Sequence, residues 1–192
     1  MTCSRRRFAS HVARALVVAA SPLAFGAAYA QSALVRGDAS GEARIKAAFI
    51  CKFGNYVDWG KDGRPAESAF VIGVVGGGRL LDELNRAASG QTVNGRPIVV
   101  RRLEKIDPVD DVAIVFVGRG NLPAADSLAS MRGRPILTIT ESDDAAPGSM
   151  INFVIVDDRV RFDIALPQAE QGGLKISGRL LALARKVTGA PS

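Results

Sequence analysis

Histidine is all but missing from this chain. The single His11 lies near the amino terminus, so the body of the protein has no imidazole for a Ser-His or Cys-His nucleophile pair or for a histidine-based zinc site. Cysteine is equally scarce, with Cys3 and Cys51 the only two. Once the amino-terminal segment is set aside Cys51 stands alone, which excludes an internal disulfide. Long apolar runs are lacking too: the longest, Ala15 to Ala28, falls short of the roughly 20 residues a membrane-spanning helix needs.

What is present at the amino terminus reads as an export signal over residues 1–30. Arg5-Arg6-Arg7 and Arg14 precede the apolar run, and Ala28-Tyr29-Ala30 forms a small-x-small cleavage site ahead of Gln31. The mature protein is therefore expected outside the cytoplasm, soluble and without direct membrane insertion after signal removal. No cysteine follows the signal at once, so no lipid anchor is expected. Ser4-Arg5-Arg6-Arg7-Phe8 resembles a twin-arginine signal, but an ordinary Sec signal has the same layout, and both routes stay open. Removing the segment also changes the charge. The chain carries 25 Lys and Arg against 19 Asp and Glu; four of the arginines and none of the acids lie in the signal, leaving 21 against 19, a net of +2. That is no basic footprint for nucleic acid.

The rest suits one domain. Residues 31–41 are small and polar and read as a flexible arm, and 42–188 as a single α/β domain. From Glu42 a helical period begins, with Ile45, Phe49, Phe53 and Val57 every four residues and Tyr56 and Trp59 widening the apolar face. Such a stripe can cover a sheet; Phe49, Phe53, Tyr56 and Trp59 can also offer a partner protein an aromatic patch. Phe70–Val75 is an unbroken apolar run, the pattern of a strand buried on both faces. Gly76-Gly77-Gly78 then opens a helix over Arg79–Ala88. A glycine-rich turn between strand and helix can be a plain tight turn or can meet an anion, which makes Gly76, Gly77 and Arg79 the candidate ligand site. Strands at Ile98–Leu103, Val112–Val117 and Pro135–Thr140, with a helix at Ala124–Met131, complete the alternation expected of parallel pairing.

No catalytic residue, metal site or cofactor is expected. The acidic pairs Asp110-Asp111, Asp143-Asp144 and Asp157-Asp158 sit in predicted turns, where Asp bonds locally. Glu141-Ser142-Asp143-Asp144 lacks the alternating ligands and central glycine of a calcium loop. Lys175 and Ser177, two apart on a predicted helix, do not face each other as base and nucleophile. A hydrolase using carboxylates from separate segments stays open as a third reading.

The carboxy-terminal stretch organises the whole. Met150–Val156 and Val160–Leu166 read as a hairpin about Asp157-Asp158-Arg159, followed by a short turn from Pro167, a stop at Gly172-Gly173 and a helix over Leu174–Lys186 whose face carries Leu180, Leu181, Ala184 and Val187. The expected fold is a three-layer α/β domain: a mixed, mostly parallel sheet, helices on both faces, and a carboxy-terminal antiparallel hairpin plus helix.

GRPILTITES (Gly133–Ser142), GSMINFVIVDDRVRFDIAL (Gly148–Leu166) and GLKISGRLLALA (Gly173–Ala184) resemble the YfiR family, and KAAFICKFGNYVDW (Lys46–Trp59) and GQTVNGRPIVVRRL (Gly90–Leu103) agree with it in order. The resemblance implies a periplasmic, homodimeric regulator that binds the periplasmic domain of an inner-membrane diguanylate cyclase and holds it inactive, so tuning cyclic di-GMP signalling and with it biofilm formation and motility. A small-molecule binding module unconnected to a cyclase is the alternative. Better-known members carry paired cysteines tied to folding and repression; with Cys51 alone, an intrachain thiol switch is excluded, leaving a buried thiol or a dimer-linking disulfide. Two further departures are Gly60 where proline is usual and Ala165 where asparagine is common.

Overall fold

The computed structural model describes residues 25–60, 68–106, 111–121, 125–144 and 146–189. The chain divides into two compact units, Met1–Arg36 and Gly37–Ser192, and the α/β fold lies in the second. Most of the expected export signal falls outside the described residues. Helix α1 is bounded by Phe25 and Tyr56, so the stretch 31–41, expected as an arm, is helical.

After α1 come β1 (Val57–Asp58), β2 (Phe70–Val75), α2 (Gly78–Ala88), β3 (Thr92–Val93), β4 (Arg96–Leu103) and β5 (Val112–Val117). Then follow α3 (Ala125–Leu128, tightening into a 3-10 turn to Met131), β6 (Leu137–Glu141), β7 (Ile151–Val156) and β8 (Arg159–Ala165). The chain closes with α4 (Leu166–Gln171), β9 (Lys175–Ile176), α5 (Gly178–Leu181) and β10 (Lys186–Thr188). Eight strands form one sheet in the order β10-β8-β7-β6-β5-β2-β4-β3, and β1 pairs separately with β9. Within the large sheet only β3–β4 and β7–β8 run antiparallel. This is the mixed, mostly parallel α/β sheet expected from the alternation of strands and helices.

The two central strands explain the layering. FVIGVV in β2 and VAIVFV in β5 are buried at every position, because helices lie over both faces. On the inner face Ala47, Ile50 and Phe53 of α1 and Leu80, Leu84 and Ala88 of α2 pack onto Ile72, Val74, Ile114, Phe116 and Ile139. On the outer face Leu128 and Met131 meet Val71, Val75, Val115 and Val117. Towards β7 the outer face turns polar and stays satisfied: Asn152 donates to the Ser142 carbonyl at 3.0 Å and accepts from Thr140 at 2.8 Å, all three buried.

Asp157 and Asp158 join β7 to β8 with φ of 49° and 56°. Two successive left-handed residues make the type I′ turn whose twist suits a hairpin, and aspartate tolerates that region better than most side chains. The register places Ile151 opposite Ile164, Phe153 opposite Phe162 and Ile155 opposite Val160, so one face of the hairpin is wholly apolar and looks towards α1.

The carboxy-terminal segment differs from the expected helix over Leu174–Lys186. Only Gly178–Leu181 is helical, a single turn capped by Ser177, whose hydroxyl accepts from the Leu180 N–H. Lys175–Ile176 pairs with Val57–Asp58, and Lys186–Thr188 adds a parallel edge strand beside Asp163–Ala165. The apolar period did identify an inward side, since Leu180 is buried and Leu181 and Ala184 pack against the core. Gly178 weakens helix propagation, and the hydrogen bonds available from two strand edges outweigh a weak helical preference.

Candidate functional site

The four aromatics expected to form a partner patch separate into two roles. Phe53 is fully buried, its ring 5.3 Å from Phe162 and 6.0 Å from Phe153. Trp59 is also core: its ring meets Phe70 edge-on at 5.2 Å and its indole Nε1 donates to the Gly54 carbonyl at 3.0 Å. Gly60 follows directly, its N–H donating to the Asp58 carboxylate, and Trp59 packs against the first residue of β2. Phe53 and Trp59 are therefore core side chains, with little surface left exposed. Phe49 and Tyr56 are half-buried at the margin of the same core.

The glycine turn after β2 is shaped by close packing. Gly76 and Gly77 have φ of 73° and 64°. A Cβ on Gly76 would collide with the Asn121 amide, and one on Gly118 would come within 3.1 Å of the Gly77 nitrogen. Glycine is needed here for backbone approach and left-handed geometry. A hollow of about 270 Å³ nevertheless opens beside it, lined by Gly77, Gly78, Arg79, Glu42, Lys46 and Glu141. Lys46 lies at its inner wall with its side chain 4% exposed, ion-paired with Glu42 one turn earlier and with Glu141 at 3.0 Å. Arg119 approaches Glu141 at 3.5 Å and bonds Asp143 at 2.9 Å. These charges are matched to one another, and Arg79 stands exposed at the rim. Among the described residues no three His, Cys, Asp or Glu side chains gather as a metal site.

A larger hollow, about 440 Å³, lies between α1 and the hairpin tip. Ile45 and Phe49 form one wall; Ile155, Val160 and the turn at Asp158 and Arg159 form the other. Ile45 and Ile155 are 45% and 41% exposed, two of only four large apolar side chains so exposed among the described residues. Both sit where a helix face and a sheet face continue past the point at which they cover each other. The helical period marked Ile45 as apolar, and strand alternation put Ile155 with Ile151 and Phe153; neither signal says where the covering stops.

Residues 43–185 of the 192 match the family described as YfiR/HmsC-like. The chain belongs to that family. Among curated proteins none matches it. YfiR/HmsC-like proteins are periplasmic regulators linked to diguanylate cyclases, and the family is regulatory, not catalytic. No helix among the described residues is long and apolar enough to cross a membrane. Gly60 has φ of 58°, a conformation closed to proline, whose ring holds φ near −65°.

Cys51 lies on the buried side of α1 as a free thiol. Burial pushes its pKa up from 9.0 to about 11, because the thiolate loses hydration there. The neutral thiol's contribution to stability is thus fully present below pH 9.0 and is lost as pH rises through about 11. Compared with a Cys51→Ala variant, the native chain is expected to lose on the order of 2 kcal/mol of relative stability across that window. Urea titrations of both proteins at several pH values check this; a difference that does not change with pH would mean an accessible thiol.

Proposed function

We propose that the protein is a non-catalytic periplasmic repressor that binds the periplasmic sensor region of an inner-membrane diguanylate cyclase, with the α1–hairpin groove as the contact surface. The observation carrying this reading is the pair Ile45 and Ile155, large apolar side chains left exposed on either side of a groove in a chain of a regulatory family. Exposed apolar groups converging on one concavity are where a partner anchors. To repress, the protein must bind the inactive cyclase more tightly than the active one, since equal affinity for both shifts nothing. We take it to act as a homodimer after removal of residues 1–30 as an export signal, with Phe49 and Tyr56 as the aromatic part of the contact.

In-cell crosslinking followed by membrane solubilisation and affinity capture tests the proposal. The native protein is expected to recover a membrane protein with a cyclase domain, and cells lacking the regulator to hold more cyclic di-GMP. Ile45→Glu with Ile155→Glu is expected to lower recovery about a hundredfold while leaving the thermal midpoint nearly unchanged, because both positions are already partly solvated. Normal recovery by this variant would remove the groove from the contact. The second reading, a small-molecule module at Gly76, Gly77 and Arg79, rests on the 270 Å³ hollow; recovery of self-crosslinked protein alone would favour it.

A further inference from the structure

We infer that the unpaired edge of β8 at Val160 takes up an extended segment of the partner, one whose residues alternate acidic, apolar, acidic. The inference rests on the regulator reading and specifies how the partner is held. In the hairpin the Phe162 carbonyl accepts from the Arg185 N–H at 2.8 Å, so the polar backbone groups of Phe162 point away from β7. Backbone groups alternate along a strand; those of Val160, two residues earlier, point the same way. β10 covers β8 only from Asp163 to Ala165. The Val160 N–H and C=O consequently have no backbone partner among the described residues. Four consecutive residues, Asp158 to Arg161, line the 440 Å³ groove, and residues of both strand faces can do so together only along the strand's edge.

The side chains define what fits. Val160 shares the inner face with Phe162 and Ile164, so an added residue opposite it directs its side chain into the groove against Ile45 and Phe49. That residue must be apolar. Arg159 and Arg161 lie on the outer face, exposed, and neither forms an ion pair among the described residues. Residues opposite them must be acidic to complement them. A second copy of this chain is the wrong occupant. Twofold antiparallel pairing centred on Val160 would set Arg159 of each copy opposite Arg161 of the other, two like-charge pairs on an edge. A partner strand of opposite charge joins the main-chain bonds of strand addition to a side-chain code.

The test uses the full chain and a synthetic peptide of about seven residues alternating Glu and Val, long enough for one strand, with a Lys/Val peptide of equal length as control. The Glu/Val peptide is expected to bind at least about tenfold more tightly than the Lys/Val peptide and to slow hydrogen exchange at the Val160 amide. Arg159→Glu with Arg161→Glu, both at exposed positions, is expected to invert the preference. Equal binding of both peptides, or binding without protection of Val160, overturns strand addition. If neither peptide binds while the cyclase is still captured through Ile45 and Ile155, strand addition falls alone. If the peptide results hold and no cyclase is recovered, the regulator reading falls and the edge remains a peptide site.

Discussion

Trp59→Ala is expected to cost about 3–5 kcal/mol of folding stability, the range for deleting a large buried aromatic. Three effects act together. The indole is 7% exposed, so its removal leaves a cavity bounded by Phe70 and Gly54. The edge-on contact with Phe70 at 5.2 Å is lost. The Gly54 carbonyl, which accepts from Nε1 at 3.0 Å, is left without that donor. Packing around Gly54 is close on its other side, where a Cβ would meet Val93 at 2.6 Å and the Phe70 ring at 3.3 Å. Against a typical total of about 5–15 kcal/mol, such a loss lowers the thermal midpoint by roughly 10 °C or more. Trp59→Phe keeps most of the volume and is expected to cost about 1–2 kcal/mol, chiefly the hydrogen bond. Calorimetry of both variants checks this. A Trp59→Ala protein as stable as the native one would free the ring to act as a partner anchor. With the expected result, a loss of partner binding in this variant is no evidence for an anchor at Trp59, since the core beneath the surface is disturbed as well.

Lys46→Met is the second large effect, about 3 kcal/mol. Lys46 is the most deeply buried charge described, 3% exposed, and it joins Glu42 of its own helix to Glu141 at the end of β6. Among the described residues, removing the ammonium leaves Glu141, 18% exposed in its side chain, with the longer contact to Arg119. An uncompensated buried carboxylate costs several kcal/mol, whereas replacing both partners with apolar groups is often neutral. Lys46→Met with Glu141→Met is therefore expected to recover most of the loss, while Glu42, 34% exposed, can turn to solvent. A double-mutant cycle by urea denaturation reads the coupling. If the two losses simply add, the pair does not depend on one another and the bridge between α1 and β6 is not a structural tie.

Much of this architecture is written in local pattern. Unbroken apolar runs at Phe70–Val75 and Val112–Val117 announce strands buried on two faces. The spacing of Phe49 and Phe53 announces a helix face, and Asp157-Asp158 between two β-branched runs announces a hairpin. Composition alone leaves residues 31–192 without a histidine and with Cys51 as their one thiol, so that stretch has no imidazole chemistry and no disulfide within itself. These features depend on neighbours close in sequence, so a reader of the sequence reaches them.

The tertiary structure decided what pairs with what. Phe53 and Trp59 share a stripe with Phe49 and Tyr56, yet only the latter two reach the margin of the core, because burial depends on how far the hairpin and β2 extend beneath α1. Leu174–Lys186 has a helical period, but two remote strand edges at Val57–Asp58 and Asp163–Ala165 recruit its ends. Lys46 and Glu141 are far apart in the chain and carry no motif; their ion pair exists only because a parallel sheet brings the end of β6 beside α1. The groove and the open edge at Val160 likewise arise where two regular elements cease to cover each other. Periodicity specifies which side of an element is apolar, while the lengths and register of its remote neighbours set how much of that side remains for a partner.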